Sequence, residues 1–377
     1  MKTVCSRNMP FVDEAFSTLG ETLVLEGRSI CASDVKDADM LAIRSTTKVD
    51  ASLLDASRVR FVGTATIGTD HLDIEYLERN GIEWCFSPGC NANSVSEYVT
   101  AALLCLANRH QFQLRGKTMG VIGVGNVGSR VVAKAAALGM RVLQNDPPRA
   151  RTEGGSQFVE LDQLLAESDI VTVHVPITKS GNDKTMHLAD NSFFEKMKSG
   201  SIFINAARGP VVDSDALLQA IKSGKIAHTV LDTWEGEPGL RPDLQAVVDI
   251  GTPHIAGHSF EGKVAGTVMV YEAACRFLNK APDWSPDELL PEPDVPEVML
   301  TAGTKPDEEL LWDVVRQVYD IEADDARLRM DCDDIPKHFD ALRKNYPIRR
   351  EFRFTSVKIN NTSPQLKATF RALGFSC

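Results

Sequence analysis

The chain predicts an α/β protein on a doubly wound parallel sheet of the Rossmann type, with a second, flavodoxin-like discontinuous unit and a small C-terminal α/β domain. Three observations carry this. From Gly116 onward, apolar strand-like runs at 118–124, 141–145, 169–175, 201–205 and 228–232 alternate with helical patterns at 126–138, 161–167, 190–198 and 213–223, and such alternation implies a parallel sheet covered on both faces. The first of these strands runs into Gly123-Val-Gly125-Asn-Val-Gly128 and then a helix. Asp146 closes the next strand, 18 residues past Gly128.

In that setting each glycine has a task. Gly123 permits the tight turn, Gly125 lets the backbone approach a pyrophosphate, and Gly128 lets helix and strand pack closely. The N–H groups of Asn126, Val127 and Gly128 then face the phosphates from a helix N-terminus. Asp146 accepts from the adenosine ribose hydroxyls and repels a 2′-phosphate, so the cofactor expected is NAD rather than NADP.

Ahead of this domain the chain alternates again. A strand at 2–5, a helix at 11–19, strands at 41–44 and 61–63 and a helix at 73–80 make a small α/β unit. Residues 94–109 form a strongly apolar helix with Ser94 as its expected cap. Residues 259–279 read as a long helix returning to the first unit. The boundaries expected are therefore 1–95 with 258–281 for a substrate domain and 96–257 for the NAD domain. Five prolines with Asp and Glu mark a linker at 282–297. A last domain spans 298–377, with a helix at 307–320, a strand at 351–359 and a helix at 365–373.

Composition limits the function. The 377 residues carry a net charge of −11, which disfavours nucleic acid or an anionic membrane as the main partner. No apolar run reaches the ~18 residues of a membrane span, and no signal peptide opens the chain. The eight cysteines show no metal-ligand spacing, so no metal is expected; most read as small buried residues in a reducing cytoplasm.

Three polar side chains follow strands of the NAD domain, where open α/β sheets bind ligands. Arg208 lies in Asn205-Ala-Ala-Arg-Gly209, Glu237 in Asp232-Thr-Trp-Glu-Gly-Glu-Pro238, and His254 in Pro253-His-Ile-Ala-Gly257. Oxidising a 2-hydroxy acid needs a planar donor for the carboxylate, which Arg208 supplies. It needs a base that titrates near neutrality, His254, and a carboxylate, Glu237, to fix the ring and stabilise imidazolium.

These motifs, together with Gly63-Thr-Ala-Thr-Ile-Gly-Thr-Asp-His71 and His174-Val-Pro176, resemble the D-isomer-specific 2-hydroxyacid dehydrogenases over residues 40–280. The resemblance implies two domains with NAD between them, the roles given to Arg208, Glu237 and His254, and contact of Asp232 with the nicotinamide carboxamide. Val175, Ala206, Ala207 and Gly257 complete the implied cofactor set. A narrower resemblance covers nearly the whole chain, through Asn8-Met-Pro10, Arg44-Ser-Thr-Thr-Lys-Val49, Asn145-Asp-Pro-Pro-Arg149 and Leu342-Arg-Lys-Asn-Tyr346. It implies a four-carbon 2-hydroxy acid with a terminal phosphate as substrate, and a homodimer formed through the C-terminal domain. Arg44, Ser45 and Thr66 are then candidates for the phosphate or hydroxyls, and His258 for a substrate contact where tyrosine is expected; the basic tail cluster of Arg343, Lys344, Arg349, Arg350 and Arg353 makes Arg349 or Arg350 a candidate for the phosphate, within the chain or across the dimer. Two other readings stay open: a different phosphorylated 2-hydroxy acid such as 3-phosphoglycerate, and an NAD-sensing interaction protein.

Overall fold

The computed structural model describes residues 1–301, 303–360 and 363–377. It divides into two compact units, Met1–Asn91 with Ser259–Glu292, and Ala92–His258 with Pro293–Cys377.

In the first unit five parallel strands, β1 (Lys2–Ser6), β2 (Glu21–Leu25), β3 (Met40–Ile43), β4 (Phe61–Thr64) and β5 (Glu83–Cys85), lie in the order β2-β1-β3-β4-β5, the flavodoxin-like winding. Val4, Leu41, Ile43 and Val62 bury on one face, and Cys5, Met40, Ala42 and Phe61 on the other. Burial on both faces is why β1, β3 and β4 read as short apolar runs. The helix Phe260–Phe277, capped by Ser259 Oγ accepting from Gly262 N, brings Val270, Tyr271 and Ala274 into the second of these cores. It lies so close that a Cβ at Gly63 would meet Val270 Cγ1 at 2.2 Å. The edge strands β2 and β5 escaped sequence reading; β5 has three residues and neither repeats long enough to show a period.

In the second unit β6 (Thr118–Ile122), β7 (Arg141–Asn145), β8 (Ile170–Val173), β9 (Ser201–Asn205), β10 (Ile226–Leu231) and β11 (Ile250–Gly251) are parallel, in the order β11-β10-β9-β8-β6-β7. A bridge from Gln144 to Phe158 adds a rudimentary strand outside β7. The strand expected at 118–124 stops at Ile122 because Gly123 turns the chain at φ +82°. Aspartates start three of the following helices, with Asp146, Asp190 and Asp213 accepting from N–H groups of the first turn; such caps stabilise a helix by about 1 kcal/mol. The long helix Ala92–His110 begins two residues before the expected Ser94 cap. Ser94 is instead buried inside the first turn, where its hydroxyl donates to Ala256 O at 2.8 Å.

The C-terminal segment, expected as a separate module, shares both cores of this unit. Leu310, Leu311, Val314 and Val315 bury with Val99, Leu103 and Leu106, while Leu328 and Phe339 join Phe203 and Trp234. The reason lies in the Ala92–His110 helix, which is apolar on nearly every face and needs a second covering layer. Strands β12 (Glu297–Thr301) and β13 (Ser356–Asn360) pair in parallel, so β12 starts inside the expected linker. The strand expected from 351 begins only at 356, because 352–354 form a 3₁₀ turn. The helix Ile321–Leu328 covers the sheet edge at β11, with Asp325 Oδ1 accepting from Gly251 N at 2.7 Å, which removes one exposed edge. Among the described residues no helix is long and apolar enough to cross a membrane.

Candidate active site

The glycine turn has the expected shape. Gly123 is at φ +82°, and a Cβ there would meet His174 O at 2.6 Å. A Cβ at Gly128 would meet Gly123 O at 2.0 Å, so the helix Asn126–Ala137 sits directly on the turn. At Gly125 a Cβ would point into open space. That is the cradle a dinucleotide pyrophosphate needs, at a 12-residue helix whose first N–H groups are open. Asp146 ends β7 beside it. Its Oδ2 accepts from Val124 N at 2.8 Å and its Oδ1 from Arg149 N at 3.1 Å, so the acid is also built into the turn. Arg149, which could otherwise receive a 2′-phosphate, is held bidentately by Glu153 at 2.7 and 2.8 Å. Both features favour a free ribose, hence NAD. Val175 Cγ1 would touch a Cβ at Gly123, which places it against the turn. His174 bonds Thr172 Oγ1 through Nε2 at 3.0 Å, and burial pushes its pKa down to about 3, so this ring stays neutral.

The three chemistry-bearing side chains follow three neighbouring strands, Arg208 after β9, Glu237 after β10 and His254 after β11. Asn205 shapes the first loop: Oδ1 accepts from Ala207 N at 3.0 Å and Nδ2 donates to Arg208 O at 3.1 Å. The half-buried Arg208 donates to its neighbour Ala207 O at 2.8 Å, and it has no carboxylate partner among the described residues. A Cβ at Gly209 would meet Trp234 O at 2.0 Å, so the Arg208 and Glu237 loops touch backbone to backbone. Glu237 Oε2 accepts from Trp234 N at 3.0 Å, and Oε1 meets His254 Nδ1 at 2.5 Å. Burial alone would raise the Glu237 pKa; the bond to His254, that histidine's charge and the Trp234 N–H outweigh it and hold it below the usual value. Arg343, from the helix Ile335–Lys344, adds to that lowering. An ionised carboxylate can only accept, so the Nδ1 atom carries the proton and Nε2 is the ring's basic atom.

Asp232 holds the loop that presents His254. The residue is buried; Oδ1 accepts from Thr252 Oγ1 and Ile255 N, each at 2.7 Å, and Oδ2 from Ala256 N at 3.0 Å. Burial raises its pKa above the ordinary carboxylate value. Tyr98 OH reaches Thr252 Oγ1 at 2.7 Å and Trp234 Nε1 donates to Thr252 O at 2.9 Å. His254 itself sits at φ +55°, a left-handed conformation that a non-glycine residue adopts only when its surroundings hold it. Its N–H, donating to Asp232 O at 2.7 Å, is part of that hold. Tyr98, Thr252 and Asn205 were not singled out from sequence.

The tail arginines are placed differently from expectation. Arg349 and Arg350 are buried, each 6% exposed. Arg349 lies 4.3 Å over the Tyr319 ring, and its Nη2 donates to Ser94 Oγ and to Ala256 O, the latter at 2.5 Å. Arg350 stacks 4.3 Å over Phe354. Both cations are interior in the chain, and Arg349 braces the loop of His254. His258 meets the Tyr346 ring edge-on at 5.8 Å; Gly257 lies between it and Ala256. In the first unit, Arg44 and Ser45 follow β3, where Arg44 Nη1 reaches Asn8 O at 3.5 Å. Thr66 follows β4 and is bound within its own loop, to Thr64 Oγ1 and Gly68 O, both at 2.8 Å. Three cysteines are buried, Cys5, Cys105 and Cys275, whereas Cys31, Cys332 and Cys377 are exposed, fewer inside than expected.

Comparison with known proteins agrees with this geometry. Residues 100–256 match the family model of the D-isomer-specific 2-hydroxyacid dehydrogenase NAD-binding domain, and 289–374 match a domain of unknown function, DUF3410. The chain is 46% identical to the erythronate-4-phosphate dehydrogenase of Citrobacter koseri, over 96% of this chain and 95% of that one. It is 46% identical to that of Cronobacter sakazakii, over 100% and 98%. The chain belongs to the erythronate-4-phosphate dehydrogenase family. Among solved structures it is similar to a D-lactate dehydrogenase from Aquifex aeolicus complexed with NAD and lactic acid, with 28% identity and TM-score 0.60, over 74% of this chain and 96% of that one. It is also similar to TT0316 from Thermus thermophilus, with 26% identity and TM-score 0.63, over 75% and 99%. The family is one of NAD-dependent oxidoreductases, and this chain carries their NAD-binding domain.

Proposed function

We propose that this chain oxidises 4-phospho-D-erythronate at C2 to 2-oxo-3-hydroxy-4-phosphobutanoate, a step toward pyridoxal 5′-phosphate. The observation that carries the reading is the His254–Glu237 pair, 2.5 Å apart, at the same edge of the sheet as Arg208 and the glycine cradle. Bound NAD⁺ supplies the hydride acceptor. The chain does the rest. Arg208 holds the substrate carboxylate by two parallel hydrogen bonds. His254 Nε2 takes the hydroxyl proton, and Glu237, anchored by Trp234 N, steadies the imidazolium so formed. Asp232, with Thr252 and Tyr98 behind it, keeps the ring in place. Arg44, Ser45, Thr66 and His258 serve the hydroxyls and the phosphate. The C-terminal segment pairs two copies of the chain, and the eight free cysteines suit a cytoplasmic setting.

The test is NADH formation followed optically across C3–C5 2-hydroxy acids, each with and without a terminal phosphate. Turnover confined to the phosphorylated four-carbon acid is expected. Equal turnover of unphosphorylated acids removes the substrate assignment, preference for 3-phosphoglycerate replaces it, and no turnover with any acid favours a sensor. Light scattering on the purified chain reads the dimer.

A further inference from the structure

At the amino-terminal end of β10 and β11, away from the catalytic loops, three side chains from three elements converge. His110 ends the Ala92–His110 helix, His228 lies early in β10, and Asp249 immediately precedes β11. His110 Nε2 and His228 Nδ1 both direct a nitrogen at Asp249 Oδ1, at 3.1 and 3.0 Å. The two rings lie with centroids 3.8 Å apart and planes tilted by 30°, and the three ligating atoms lie within 4.8 Å of one another. Ligands of a tetrahedral zinc ion, bound at about 2.0–2.1 Å, stand roughly 3.3 Å apart, close to both nitrogen–carboxylate separations here.

The surroundings prepare the ligands as a metal site requires. Asp249 Oδ2 accepts from Thr229 N at 2.9 Å, and Asp249 O accepts from Arg109 Nη1 at 3.0 Å. The acid is therefore held in one orientation, as the outer partners of metal ligands do. A cavity lined by Phe112, Lys117, Asp169, Lys198, Ser199 and His228 adjoins the cluster on the His228 side. Two imidazoles and one carboxylate suit zinc or cobalt over magnesium or calcium, which take oxygen ligands.

We propose that His110, His228 and Asp249 bind a divalent transition metal, zinc foremost, which clamps the end of the long helix to β10 and β11. Spacings of 118 and 21 residues hide such a site from sequence motifs, and it is independent of the reaction assigned above.

Calorimetric titration of the purified full-length chain with zinc chloride tests it, alongside His110→Ala and His228→Ala. The wild type is expected to take up one ion per chain with affinity about tenfold or more above either variant, and magnesium chloride to give no heat. X-ray absorption of the zinc-loaded wild type is expected to show two imidazoles and no sulfur; this readout stands even if a variant does not fold. Zinc binding equal in the wild type and both variants, its absence from the wild type, or a first shell with fewer than two imidazoles overturns the proposal.

Discussion

The roles proposed for Arg208 and Glu237 can each be tested by one substitution. Arg208→Lys keeps the charge but gives up the planar fork, so kcat/KM for the hydroxy acid should fall on the order of a hundredfold while the dissociation constant for NADH stays put. Steady-state kinetics and NADH fluorescence titration read the two quantities. Glu237→Gln keeps the volume but offers Nδ1 a donor as well as an acceptor, so the ring is no longer confined to the tautomer with a basic Nε2. A kcat loss of roughly a hundredfold or more is expected. The depressed Glu237 pKa sets the sign of the pH effect. Its contribution to holding the loop is present above the ordinary carboxylate value and is lost only as pH falls through the depressed one. The pair therefore outlasts mild acid. The positions of Arg208, Glu237 and His254 after neighbouring strands were legible in sequence because each lies in a short motif that closes an apolar strand run. Tyr98, Thr252 and Asn205 were not: the Tyr98–Thr252 bond spans 154 residues, and such a partnership exists only in the fold.

At the scale of elements, loops are placed by close approach. The Gly209 backbone touches Trp234 O, and a methyl group there would lie 2.0 Å from that carbonyl. Gly209→Ala should force the loops of Arg208 and Glu237 apart, lowering stability by about 1–3 kcal/mol and kcat disproportionately, with NADH binding retained. Thermal melts and kinetics on one preparation decide it. Arg349→Met separates two roles for the tail arginine. As a brace on Ala256 O, its loss should cost roughly 1.5–3 kcal/mol and lower kcat while KM for the phosphorylated substrate changes little. A steep rise in KM alone would restore it as a phosphate ligand. The strands from 118 to 205 could be read from sequence to within about two residues, because buried parallel strands leave unbroken apolar runs, whereas the short helix Pro147–Glu153, with no buried residue to give it a period, was not expected. The tail could not be placed. Its amphipathic helix Asp307–Val318 shows that one face is buried, but not that the Ala92–His110 helix is what covers it.

For the second unit as a whole, a buried charge cluster couples its tail to its NAD-binding portion. Glu97 Oε1 accepts from Asn93 Nδ2 at 2.9 Å and from Phe352 N at 3.1 Å, Asn93 Nδ2 also reaches Glu351 Oε2 at 2.9 Å, and Lys134 Nζ donates to Leu373 O. Burial pushes the Glu97 pKa up to about 8, against the opposing charge of Lys134. A carboxyl whose pKa is raised on folding binds more protons folded than unfolded, so its contribution falls as pH rises between the unfolded value and the folded one. The wild type should lose melting temperature, relative to Glu97→Gln, from about pH 5 to about pH 8; parallel curves for the two proteins would show that Glu97 is ionised throughout.

The long helix at 92–110 has a consequence for how such a chain can change over time. With buried residues all around its circumference, most of them apolar from Tyr98 onward, it depends on the wrapping that the last 85 or so residues supply. A lineage with this helix cannot simply discard its C-terminus; it would first have to repaint the outward face with polar side chains, each costing stability while the wrapping is still in place. The appendage works as a ratchet, easier to gain than to lose.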